Sequence, residues 1–339
     1  MQSFIKKYLF FFLIIITISA PILTQDTRQN KKFNLKKFKQ LLINNPQKAL
    51  QKITPYHFLY YKTLNEQKTQ HPLTYITECI DHTCILMRGK CIESRELFED
   101  TCINNMQKIL NQSKTNTINF ADFGSGQLFQ TLVVLTKLLN KNSSANISIS
   151  LIDIIYTTYT ETCDILNNSR YIGHNISKPF CNKKTLKKLA KQNIHQKFFF
   201  NLKAEDQFSI LKTMLSNFKN YLQECFPDSN LNFFVCASAE DFLLQAKGKR
   251  IPYPDFIACA DTFKLHKKTQ GNHDDQLLKD YANLCVQSQL YKPKSKNQAL
   301  TIHDDNTIYL AQFNKTAKSN NKKNFYTIEK QKLSNFGLN

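Results

Sequence analysis

The sequence predicts an α/β fold: a doubly wound, mainly parallel sheet with a helical region before it and a helical insertion within it. Three observations predict it. The run Ile118-Asn119-Phe120-Ala121-Asp122 ends in an acid, enters the turn Phe123-Gly124-Ser125-Gly126, and is followed by an apolar segment, Leu128 to Leu139. Strand, glycine turn and helix in that order build the nucleotide pocket of a doubly wound domain. Further strand-like runs alternate with helical segments, which a parallel sheet requires. Acids recur at the ends of those runs. The chain has only 7 glycines, so two within one turn are a strong local signal.

The elements follow in order. Residues 1–25 read as a targeting segment, with Lys6-Lys7 as the positive region, Tyr8 to Ile18 as the apolar run and Thr17-Ile18-Ser19-Ala20 as a cleavage region. The apolar run is shorter than the ~20 residues of a membrane span, which favours a signal peptide over an anchor built on residues 8–23. The signal-peptide reading points to export, periplasmic or secreted; the alternative is a chain anchored in the membrane by residues 8–23, and no other segment suggests a multi-span membrane domain. Residues 26–116 read as a helical, cysteine-containing region that opens on a basic linker. Leu35, Phe38, Leu41 and Leu42 form one apolar stripe, and Leu97, Phe98, Cys102, Ile103, Met106 and Ile109 form another.

The α/β domain is expected over 117–313. Its strands are Ile118–Asp122, Ile147–Ile152, Leu231–Ala237, Phe256–Ala260 and Ala299–Ile302, with strand-like Thr307–Phe313 after them. The stretch from Asp153 to Leu231 is too long for one crossover helix, so a helical insertion is expected at about 154–230. Residues 314–339 read as a basic C-terminal tail, although Asn324–Ile328 is strand-like.

Composition narrows the function classes. The chain has 339 residues, 42% of them hydrophobic and 12% aromatic, which argues against disorder. A formal charge of +20 admits nucleic acid or an acidic surface as partner. The lysines are dispersed, however, and no compact surface of arginine and aromatic residues marks a single-stranded RNA reader. The abundance of Lys, Asn and Ile with no Trp also has the look of an AT-rich coding sequence.

Ten cysteines agree with an oxidising destination. Cys79, Cys84, Cys91 and Cys102 lack zinc-site spacing and are expected to form disulfides, whereas Cys236 and Cys259 lie in apolar strands and are expected to pack. No metal site is expected. Asn-x-Ser/Thr sequons begin at Asn111, Asn142, Asn146, Asn167, Asn175 and Asn314.

Chemistry concentrates at the strand ends. Asp122 ends the first strand, Asp153 the second, Glu240-Asp241 follow the third, and Asp261 ends the fourth. Ligands of a doubly wound sheet bind outside the carboxyl ends of its strands. Gly124 and Gly126 would let a ligand approach the backbone closely.

In these residues the chain resembles the class I S-adenosylmethionine-dependent methyltransferases. Asp122-Phe123-Gly124-Ser125-Gly126 is similar to that family's first motif, with Leu128 where many members have a third glycine. The resemblance implies that Asp153 binds the ribose hydroxyls and that Glu240 and Asp241 lie against the adenine, Asp241 accepting from its amino group. It covers about Ile118 to Phe313 and implies a class I methyltransferase fold, S-adenosyl-L-methionine as cofactor, and methyl transfer to an unknown acceptor. Asp261 and His266 are the candidates for substrate contact or a base. There is no Asn/Asp-Pro-Pro-aromatic signature after strand four, so methylation of base or glutamine amino groups has no support. Two other readings remain: a secreted binding protein on the same fold without catalysis, and a basic surface or nucleic-acid-interacting protein.

Overall fold

A computed structural model describes residues 33–53, 72–78, 92–157, 202–260, 298–303, 307–313 and 326–332. The targeting segment, Cys79, Cys84, Cys91, Asp261, His266 and the lysine-rich part of the insertion lie outside the described residues. The chain divides into Met1–Asn34, of which only the last two residues are described, and the unit Leu35–Asn339.

That unit is built on one seven-stranded sheet of order β3-β2-β1-β4-β5-β6-β7. The strands are β1 (Thr117–Phe123), β2 (Asn146–Ile152), β3 (Asn230–Cys236), β4 (Phe256–Ala260), β5 (Gln298–His303), β6 (Thr307–Phe313) and β7 (Tyr326–Lys332). β1 to β5 are mutually parallel, and β6 and β7 close the sheet as an antiparallel meander. The α/β class expected from the sequence is therefore present. In the sub-order 3-2-1-4-5 the chain moves one way from β1 through β2 to β3, then resumes on the other side of β1. β1 and β4 thus flank the topological switch point.

Two elements bear on the boundaries expected from the sequence. The sheet does not stop at Phe313, because residues 326–332 pair with β6 from Thr307↔Lys332 to Phe313↔Tyr326. The segment after 313 is therefore not simply a basic tail. Among the described residues of the region 154–230, α5 (Ala204–Cys225) is a helix that lies between β2 and its parallel neighbour β3 in the chain.

The burial pattern explains the layering. In β1 the sequence TINFADF alternates at first and then becomes continuously buried from Phe120 to Phe123, as a central parallel strand covered on both faces must. The helix after it, α4 (Phe129–Lys141), buries residues on every side from Phe129 to Leu139, apart from Lys137. A helix that is apolar all round must be covered all round. Helices α1 (Leu35–Asn44), α3 (Ile92–Gln112) and α5 pack against α4 and supply that cover. A second short helix, α2 (Pro46–Ile53), packs on α1. The N-terminal helical region is therefore a layer of the α/β core.

The opposite face holds Ala121, Phe123, Ile152, Cys236, Ile257 and Cys259 against Phe242 and Ala246 of α6 (Ala239–Lys247). Phe123 and Phe242 meet edge to face with centroids 5.6 Å apart. Cys236 and Cys259 are buried within this core, the packing role their apolar strands predict. Cys102 corrects the disulfide expectation for its own position. It is a free thiol, fully buried on α3, and burial pushes its ionisation well upward. Its place in the apolar stripe of α3 accounts for it as packing. No described helix is long and apolar enough to cross a membrane.

Candidate functional site

The turn leaving β1 is the focus of the site. Gly124 has φ 74° and Gly126 φ 51°, the left-handed region that glycine occupies without a Cβ penalty. Leu128 follows at φ 70°. Alternate residues 124, 126 and 128 thus share one backbone handedness. A leucine there is strained by roughly 1–2 kcal/mol, and its full burial holds it in place. Leu128 is also the residue preceding α4, and no side chain caps that helix start.

Asp153 lies immediately after β2 and is half-buried. Its carboxylate accepts from the Gly126 amide at 2.9 Å and from the Ile155 amide at 3.0 Å. It therefore joins the glycine turn of β1 to the short 3-10 turn Ile154–Tyr156. Tyr156, fully buried, donates its hydroxyl to Gly126 O at 3.3 Å and lies 3.1 Å from Ser125 Oγ. The sequence reading missed this tyrosine. Its only signal was an aromatic residue three positions after a strand-end acid.

Asp122 faces the interior. It is 3% exposed and accepts a short hydrogen bond from Thr131 Oγ1, in the first turn of α4. Burial lifts its carboxyl from the ordinary 3.8 to about 7; the Thr131 bond opposes that rise, and the nearby Asp153 and Glu78 carboxylates reinforce it. Asp122 is thus a buried acid beneath the turn that titrates near neutrality.

Asp241 is placed by α6. Ser238 is the N-cap and accepts from the Asp241 amide at 3.1 Å, while Asp241 accepts from the Ala237 amide at 3.2 Å. Its other oxygen accepts from Gln245 Nε2 at 3.1 Å. Serine and acid three residues apart, each bonding backbone amides at a helix start, form a close variant of the capping box. The backbone of Glu240 lies in α6, and its side chain is outside the described residues. The fold therefore brings Asp122, Gly124, Gly126 and Asp153 together directly, and sets Asp241 at the end of the neighbouring strand β3.

A segment from the N-terminal region completes the site. Thr77 makes a parallel bridge with Leu128, its amide donating to Gln127 O and its carbonyl accepting from the Phe129 amide, both at 3.1 Å. Gln127 Nε2 donates to Tyr75 O at 3.0 Å. Glu78 lies 3.9 Å from Arg95, whose guanidinium donates to Gln130 Oε1 at 2.9 Å. The first amide of α4 is therefore occupied by the protein's own backbone. Among the described residues no cluster of His, Cys, Asp and Glu could hold a metal ion.

No protein-family model matches the chain, and no curated protein matches it. Among solved structures it is similar to the crystal structure of selenomethionine PaaA, at 11% identity and a TM-score of 0.25, over 86% of this chain. The chain spans 65% of that chain's length. A likeness of that extent carries no functional argument.

Proposed function

We propose that this chain is an exported protein of the class I methyltransferase type, which binds S-adenosylmethionine beside the β1–β4 switch point and transfers its methyl group to an acceptor of unknown class. The observation that carries the reading is the turn itself. Residues 124, 126 and 128 adopt left-handed backbone at alternate positions, including the one where the resemblance expects a third glycine and the sequence has leucine. The turn stands at the carboxyl end of β1 with Asp153 at the end of the adjacent β2, where a doubly wound sheet takes its ligand.

In such a site the protein's tasks are positional. The cofactor supplies an activated methyl group on a sulfonium, so the chain must align the acceptor in line and exclude water. Asp153 would exchange one of its backbone partners for ribose hydroxyls. Asp122 could hold a proton near neutrality, but its burial and its bond to Thr131 give it a structural part beneath the turn rather than contact with an acceptor.

A second reading has its own support. Asp153 and Asp241 spend their carboxylates on the protein's own amides, and the first amide of α4 is bonded to Thr77. Such internal satisfaction favours a binding protein on this fold that lacks methyl transfer. Isothermal titration with S-adenosylmethionine and S-adenosylhomocysteine, on wild type and Asp153→Ala, tests the main reading. It predicts saturable binding of both ligands by wild type and at least tenfold weaker binding by the variant. Absence of binding by wild type would sink it. Equal binding by both proteins would remove only the ribose role of Asp153.

A further inference from the structure

The segment Leu73–Glu78 lies across the start of α4 as a strap, and its attachments conflict with its own comfort. Tyr75 has φ 69°, a left-handed conformation that a tyrosine adopts only under strain. Thr77 is fully buried, and its hydroxyl has no hydrogen-bond partner among the described residues. A buried hydroxyl left unpaired opposes the state that buries it. Leu128, the strap's bridge partner, is left-handed as well. Strain of this kind persists where surrounding bonds hold it, and it marks elements able to change state.

The bonds that hold the strap to its neighbours include the two main-chain bonds of Thr77, the Gln127 side-chain amide to Tyr75 O, Asn217 Nδ2 of α5 to Thr74 O at 3.2 Å, and the Glu78–Arg95 ion pair. The strap therefore occupies, with a carbonyl, the amide that a polar ligand group would use at a helix N-terminus.

We propose that Leu73–Glu78 is an autoinhibitory strap, which must lift from Gln127–Phe129 before S-adenosylmethionine can use the start of α4. The inference rests on the cofactor reading above. For a ligand that binds only the open state, apparent affinity scales with the fraction of molecules that are open, so altering the stability of the closed state alters apparent affinity with no change in the pocket.

Two substitutions act in opposite directions, and neither touches a candidate cofactor contact. Asn217→Ala removes a tether and should tighten S-adenosylmethionine binding about three- to tenfold. Thr77→Val removes the unpaired hydroxyl at constant shape, stabilises the closed strap and should weaken binding by a similar factor. Amide hydrogen exchange of the ligand-free proteins should show Thr77 and Phe129 exchanging faster in the first variant and slower in the second. Affinities shifted in opposite directions, with exchange following, support the strap. Equal affinities in all three proteins overturn the strap and leave the cofactor reading standing, as does a loss of affinity in Asn217→Ala. No binding by any of the three overturns the cofactor reading, and the inhibitory role falls with it.

Discussion

Asp122 shows how one residue can be visible in a sequence while its role is not. An acid closing an apolar strand before a glycine turn reads as a ligand contact, yet it is turned inward onto Thr131. With a folded pKa near 7 against an ordinary 3.8, it keeps its proton in the folded chain over a range where the unfolded chain has lost it. Stability from this group is fully present below about pH 4, declines as pH rises, and levels off above about 7. Asp122→Asn, which can still accept from Thr131, should therefore gain on wild type between pH 5 and pH 8 by about 2.5 kcal/mol, the part of the shift that falls in that range. Urea denaturation at the two pH values checks this, and a pH-independent difference would contradict it. Leu128 provides a second test at this scale. Its buried side chain and left-handed backbone pull in opposite directions, so Leu128→Ala and Leu128→Gly should both destabilise. Alanine should be the worse by about 1 kcal/mol, because glycine alone relieves the backbone. Thermal melts rank the two, and alanine equal to or above glycine would show that residue 128 is not held left-handed in solution.

At the scale of elements, periodicity carried most of the information. The strands at 118–122, 147–152, 231–237 and 256–260 lie within two residues of those observed, because alternating or continuous apolar runs leave the backbone little choice. The helix stripe over residues 93–110 is α3. Two features were hidden. The strap has no periodic pattern, being fixed by backbone bonds to a turn some fifty residues away. The role of Asp241 in starting α6 was also missed, although Ser238 and Asp241 carry the capping spacing in plain view. Ser238→Ala should cost about 1 kcal/mol by removing that cap. Chemical denaturation would show it, and a neutral result would separate Asp241 from the capping role. β7 makes a different prediction. Ending the chain at Phe313 would expose β6 as an unpaired edge, so the truncated protein should associate at concentrations where the full chain does not. Light scattering distinguishes the two.

For the whole molecule, the α/β class followed from the sequence, since alternating strands and helices admit few arrangements, whereas the order of the strands came only with the structure. The packing of helices α1 and α3 onto α4 was not legible, because an apolar stripe states that a face is covered without naming its cover. The same limit applies to the candidate site: residue types at strand ends named its residues, but not which hydrogen bonds the chain would make with itself. The central claim is that the turn at Gly124–Leu128 receives an adenosyl cofactor. Amide hydrogen exchange of the full chain with and without S-adenosylmethionine tests it most directly. Slower exchange confined to residues 124–128 and 152–156, with faster exchange over 73–78, is the predicted result; unchanged exchange at 124–128 under saturating cofactor would contradict it.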